Sequence, residues 1–185
     1  MSALGLPLRQ TELEGVVIVS PPFHQDRRGA FTKPFSPAVE DSLGIPFDIV
    51  EVYWSRSVGG TVRGMHFQVP PTPIGKVVFS VEGRVRDIVL DLRVGSATYL
   101  RHTVIDLAPG AGAVYVPHGC AHGFEVVDES ATLVYLQDGA FDPATDAGVR
   151  WDTFGATWQT PRPVLSDRDS ALPALEDFVS PFREF

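Results

Sequence analysis

Apolar positions in this chain come in short runs, many alternating with polar ones at a period of two, and few recur at helical spacing. Val17 to Val19 begins the series, followed by Phe47 to Tyr53, Thr61 to Phe67, Val77 to Val81 and Val85 to Leu92. Thr103 to Leu107, Ala113 to Val116, Gly123 to Val127 and Thr132 to Leu136 complete it. Runs rich in β-branched and aromatic residues, bounded by turn formers, predict strands. The pair Val77–Val81 and Val85–Leu92 predicts a hairpin turning at Glu82-Gly83, where glycine tolerates positive φ. Ser36-Pro37 can start a short helix through Leu43 with Gly44 ending it, and Ser170 to Phe178 is a weaker second candidate. Asp142 to Pro163 reads as an ordered loop wrapping the strands. With 17 glycines and 16 prolines as punctuation, the pattern predicts one all-β domain over residues 1–185, a sandwich or barrel with short peripheral helices. Its tail from about residue 174 is peripheral.

Some strand positions are polar where a core strand would be apolar. Asp87 and Asp91 share a face with Val85 and Val89. That face is either solvated or loop-holding, or it lines a barrel lumen that takes a ligand. Arg63 and His66 stand an odd number apart and face opposite ways on a regular strand; a bulge at Gly64 would bring them together. His118 and His122 are four apart, but Pro117, Gly119 and Gly123 argue against the helix that would make them a shared metal-binding face. The acidic and basic run Leu165-Ser166-Asp167-Arg168-Asp169 has the composition of a solvated loop.

Charge and cysteine content narrow the class. A net charge of -8 argues against a nucleic-acid partner, which needs a basic surface to neutralise phosphates. No apolar run approaches the ~18 residues of a membrane span. The start, MSALGLPLRQ, has neither the basic nor the apolar part of a signal peptide. Cys120 is the single cysteine and reads as a buried filler, so a cytoplasmic location is expected.

Five segments together carry a family resemblance. Arg63-Gly64-Met65-His66-Phe67-Gln68 with Pro70-Pro71 and Gly75-Lys76 is the first, and Asp91-Leu92-Arg93 with Gly95-Ser96-Ala97-Thr98 the second. Val116-Pro117-His118-Gly119-Cys120-Ala121-His122-Gly123-Phe124, Gly148-Val149-Arg150-Trp151-Asp152 and Leu165-Ser166-Asp167-Arg168-Asp169 follow. In this order the chain resembles the dTDP-4-dehydrorhamnose 3,5-epimerase family from about Gly15 to Pro173. The resemblance implies a cupin-type (jelly-roll) β-barrel, a homodimer, no metal and no organic cofactor. It implies a nucleotide-diphosphate 4-keto-6-deoxy sugar as substrate, dTDP-linked by default, with C3, C5 or both inverted through an enolate.

By the same resemblance His66 is the base, Asp169 its partner, Tyr135 the acid on the opposite face, and Lys76 the cation at the sugar ketone. Arg28 and Arg63 match arginines that hold the diphosphate, and His122 a histidine that touches the sugar. Lys33, Glu51 and Tyr53 fall at substrate-binding positions where the family usually has Glu, Gln and Asn. Leu136 stands for a usual lysine and Ala140-Phe141 for a usual aromatic pair, which leaves the nucleotide and the number of inverted centres open. Two other enzyme classes on the same barrel remain as alternatives, a sugar-nucleotide 3,4-ketoisomerase and a metal-dependent cupin oxygenase. A non-catalytic sugar-nucleotide binding module is a third.

Overall fold

The computed structural model describes residues 6–44 and 46–183. The chain opens with β1 (Leu8–Gln10), β2 (Val17–Val19), β3 (Phe23–Asp26), β4 (Gly29–Thr32) and helix α1 (Pro37–Leu43). There follow β5 (Glu51–Val58), β6 (Val62–Gln68), β7 (Lys76–Glu82), β8 (Val85–Asp91), β9 (His102–Leu107) and β10 (Ala113–Val116). The last elements are β11 (Cys120–Val126), β12 (Ser130–Gln137), β13 (Asp146–Gly148), helix α2 (Asp167–Ser170) and a 3-10 turn at Leu175–Asp177.

The strands form two antiparallel sheets, ordered β1-β2-β10-β7-β12-β5 and β13-β6-β11-β8-β9, with β3 and β4 paired separately. Facing residues of the two sheets pack into one core. Ile18, Val78, Val114 and Leu133 come from the first, and Val85, Val89, Ile105 and Phe124 from the second. Two layers joined by chain crossings, with no long helix between them among the described residues, make the jelly-roll barrel of the cupin type.

The hairpin expected at Glu82-Gly83 does not form. β7 already lies between β10 and β12, so the chain leaves its sheet at Gly83 and β8 joins the other one. Gly83 has φ +69°, and a Cβ there would meet the Ser130 carbonyl oxygen at 2.0 Å, so glycine is required for close approach as well as for the turn. Helix α1 starts and stops as expected, with Gly44 at φ 69° closing it. The second helix begins earlier than its pattern suggested. Ser166 accepts from the Asp169 N–H and starts α2, while residues 175–177 form only a 3-10 turn.

The run predicted from Phe47 becomes a strand only at Glu51, because Phe47 is drawn into a cluster with Phe35 and Tyr115 instead. β11 starts at Cys120, earlier than its apolar run. β1, the β3–β4 hairpin and β13 carry too few apolar residues to register as strands. The tail from residue 174 is anchored, with Phe182 buried against Phe67.

Asp87 and Asp91 are both fully buried, so the solvated reading of their face is wrong. Asp91 holds a loop, accepting hydrogen bonds from Arg93, Ser96 and Thr98 at 2.6–2.9 Å. Asp87 lies behind the lumen and bonds His122, which lines it.

Candidate active site

A cavity of about 470 Å³ opens between the sheets. Its first wall is set by register. On adjacent strands β7, β12 and β5, Lys76, Gln137 and Glu51 form one cross-strand row, and Val78, Tyr135 and Tyr53 the next. Period two then puts Glu51, Tyr53 and Ser55 on the cavity side of β5. Val52, Trp54 and Val58 point outward and are more than half exposed.

The second wall comes from β6 and β11. His122 pairs with His66 and Phe124 with Arg63, so two steps along β11 match three along β6. That extra residue is the bulge at Gly64, and it turns Arg63 and His66 to the same cavity. Gly64 has φ +121°, and a Cβ there would sit 2.6 Å from Gly123 Cα. Only glycine permits this register.

Asp169 reaches His66 because the C-terminal segment is laid along β6. Val164 bridges Thr61 in parallel, accepting from Val62 N and donating to Gly60 O. The short helix that follows turns Asp169 inward. One carboxylate oxygen lies 2.5 Å from His66 Nε2 and the other accepts the Gly64 N–H at 3.2 Å. Burial works against the Asp169 charge, but His66, the Gly64 N–H and Arg168 hold its carboxyl below the usual range. The ionised carboxylate must accept, so Nε2 carries the proton and the lone pair sits on Nδ1. Burial lowers His66 from its ordinary value despite Asp169. The imidazole is therefore neutral at physiological pH, as a base must be.

Tyr135 is buried, stacked on Tyr53 with ring centroids 4.7 Å apart and planes 9° from parallel, and it meets the edge of His122 at 6.0 Å. Burial pushes its phenol well above the usual range, so it stays protonated. Lys76 is buried, and burial brings its amine down to about 8, with Asp146 and Asp87 opposing. The turn before it is fixed by Asp138, which accepts the Gly75 N–H at 2.7 Å and His118 Nε2 at 2.8 Å. His122 Nε2 bonds Asp87 at 2.7 Å. The two histidines of the Pro117–Phe124 segment thus serve different carboxylates and do not share a ligand face.

Among the described residues Arg63 keeps one bond, from Nε to Ser57 Oγ at 2.9 Å, and its remaining N–H groups are available to an anion. Arg28 and Lys33, expected to bind substrate, are not among the residues that line the cavity. Both belong to the exposed β3–β4 hairpin or its end, and Arg28 folds back onto Asp26 at 2.6 Å.

Several cavity residues were missed. Arg168 lies at the rim, paired with Asp146 at 2.7 Å; its charge-rich neighbourhood reads as an ordinary loop. Asp146, Gln137 and Ile74 line the cavity without any signal in their spacing, and Phe141, from the position of the family's aromatic pair, lines it as well. The Phe141 N–H is held by Glu51 at 3.1 Å.

The arrangement puts a neutral base and a protonated phenol on facing walls, with an ammonium between sheets and guanidinium groups at the mouth. It suits removal of a proton from carbon beside a carbonyl and return of one to the other face.

The family model for dTDP-4-dehydrorhamnose 3,5-epimerase matches residues 10–177. A dTDP-4-dehydrorhamnose 3-epimerase of Streptomyces niveus is 39% identical over 167 residues, covering 88% of this chain and 80% of its own. NovW, a 4-keto-6-deoxy sugar epimerase from the novobiocin biosynthetic gene cluster of Streptomyces spheroides, superposes with TM-score 0.87 at 38% identity, over 93% of this chain and 88% of its own. The RmlC epimerase of Legionella pneumophila, solved with dTDP-4-keto-L-rhamnose, gives TM-score 0.90 at 27% identity over 97% and 98%. Matched across residues 10–177 and superposable over nearly its whole length on solved members, the chain belongs to the dTDP-4-dehydrorhamnose 3,5-epimerase family.

Proposed function

We propose that this protein is an isomerase that inverts C3, C5 or both in a nucleotide-diphosphate 4-keto-6-deoxy sugar, dTDP-linked as in its relatives. The single observation that carries the reading is the His66–Asp169 pair facing Tyr135 across a cavity of sugar-ring size. His66 Nδ1 takes the proton from the carbon beside the ketone, and the electron pair moves to the ketone oxygen as an enolate. Lys76 compensates that charge, which is worth more in a buried site than in water. The Tyr135 O–H then donates to the opposite face of the same carbon, and imidazolium and phenolate are reset by proton exchange with solvent. Nothing is oxidised or reduced.

Arg63 holds the diphosphate by charge-assisted hydrogen bonds, with Arg168 beside it at the rim. Glu51, Tyr53 and His122 shape the sugar end. β5 is a sheet edge that exposes Val52, Trp54 and Val58, a surface that favours a homodimer. Any contact of Arg28 or Lys33 with substrate is made in a second copy's cavity. No described helix is long and apolar enough to cross a membrane; with its lone cysteine, the enzyme is proposed to work in the cytoplasm as one domain.

The test is deuterium incorporation. Incubated with dTDP-4-keto-6-deoxyglucose in deuterated water, the protein should introduce deuterium beside the ketone with inversion, and His66→Asn should abolish both. Undiminished exchange in that variant removes the mechanism. Movement of the ketone from C4 to C3 identifies a ketoisomerase instead.

A further inference from the structure

An epimerase of this kind can invert two centres only if something in the site moves. The two carbons flanking a ketone lie on opposite flanks of the sugar ring. Base and acid must address first one and then the other, so the base swings, the acid swings, or the sugar is re-presented to an acid that can follow it.

The base here is fixed. His66 is held by Asp169, whose second oxygen is tied to the Gly64 backbone and whose own N–H is capped by Ser166. The acid is fixed too, and by a residue that moves no proton in the chemistry above. Tyr53 lies directly across from Tyr135 on the neighbouring strand, on the side opposite Val78. Their rings are face to face at 4.7 Å and 9°, an offset that cross-strand aromatic pairs favour. Tyr53 is itself held, because Gln137 donates to its hydroxyl at 2.9 Å. The edge of His122 closes the remaining approach to the Tyr135 ring at 6.0 Å. A phenol clamped between an aromatic plate and an imidazole edge has one position along the length of the sugar.

We propose that Tyr53 is a positioning residue that pins the Tyr135 phenol beside one ring carbon, so that this enzyme inverts a single centre. The inference rests on the epimerase reading and specifies it. Asparagine or another short side chain at this position would leave the Tyr135 ring free to tilt across the space that Tyr53 fills.

Site-resolved NMR in deuterated water tests this on the full chain, following deuterium and configuration at C3 and C5 separately for wild type, Tyr53→Asn, Tyr53→Leu and Tyr53→Phe. The wild type is expected to invert one carbon. Tyr53→Phe preserves the stack and should retain that selectivity. Tyr53→Asn and Tyr53→Leu, which lose it, should raise inversion at the second carbon relative to the first by roughly threefold to tenfold, the range of one orienting aromatic contact. A merely structural role lowers both carbons together and leaves their ratio unchanged. Comparable inversion of both carbons by the wild type overturns the proposal without touching the epimerase reading, and so does an unchanged ratio in whichever of the two stack-breaking variants folds. Absence of deuterium from both carbons in the wild type overturns the epimerase reading itself, and this inference with it.

Discussion

The carboxylate of Asp169 stands 2.5 Å from Nε2 of His66 although 103 residues separate the two in sequence. The same carboxylate accepts the Gly64 N–H, so it fixes the bulge that aims His66 as well as the proton on its ring. Orientation and protonation of the proposed base therefore have one source.

Replacing Asp169 by Asn separates these two duties. The amide oxygen can still accept from Gly64, but the amide N–H₂ then faces Nε2 and favours the tautomer with the proton on Nδ1, where the base needs its lone pair. The fold should persist, with a melting temperature close to wild type. Turnover should fall by roughly 10²–10⁴, the range of a lost general base. Single-turnover kinetics beside a thermal melt check both.

Tyr135→Phe removes the donor and leaves the base. Exchange with deuterated water should survive, because His66 can return a deuteron to the face it came from, while inversion falls by at least about 10². Proton NMR separates signal loss from a change of configuration. Equal loss of exchange and inversion would mean that Tyr135 acts before the enolate forms.

How much of this was legible in the sequence depends on distance along the chain. Local signals served well. Ser36, Pro37 and Gly44 bracket α1, and the bulge at Gly64 that would bring Arg63 and His66 to one side is present. Pairings across the fold were not legible. The chain's crossing between sheets at Gly83 has the same local code as a hairpin, since a turn glycine does not report which sheet the next strand joins. Asp169 could be tied to His66 only through family resemblance, because the contact depends on Val164 lying along Thr61. Arg168 and Asp146 were missed for a related reason: charges in loops are usually solvated, and only the folded rim shows these two paired at 2.7 Å.

The pH profile follows from two groups. His66 must be neutral, and its value is depressed below the ordinary 6.5 by burial, so activity is lost only as pH falls below that. Lys76 must be cationic, and burial lowers it to about 8, so the stabilising charge disappears as pH rises through that value. The profile of kcat/KM should be a bell with its basic limb near pH 8. In Lys76→Arg the guanidinium stays charged throughout, and the basic limb should move up even where the plateau rate drops. An unmoved limb would assign it to another group.

Among the described residues Arg63 is tethered only through Nε to Ser57, leaving the rest of its guanidinium for the proposed ligand. Arg63→Ala should weaken dTDP binding by roughly 10–100-fold, as expected for losing charge-assisted hydrogen bonds. KM should rise in proportion while kcat changes little, because the diphosphate is bound alike in ground and transition states. Calorimetric titration with dTDP, repeated at two salt concentrations, checks the loss and its electrostatic origin.

Glu125 tests the scaffold rather than the chemistry. Its neighbour Phe124 lines the cavity, and Glu125 points the other way on β11, fully buried. There it accepts Arg86 Nη1 at 2.6 Å and the N–H groups of Gln159 and Thr160 at 2.9–3.1 Å. The loop that wraps the barrel before Val164 is thereby anchored to the sheet. Glu125→Ala strands a mostly buried guanidinium and orphans two backbone donors, which should cost about 3–5 kcal/mol. For a chain of this size that lowers the melting temperature by on the order of 10 °C. Below the transition the cavity is untouched, so kcat should stay within about twofold of wild type. A melting temperature unchanged by the substitution would mean that the loop is held by its tryptophan contacts, Trp158 with Trp151 and Phe154, and not by the carboxylate.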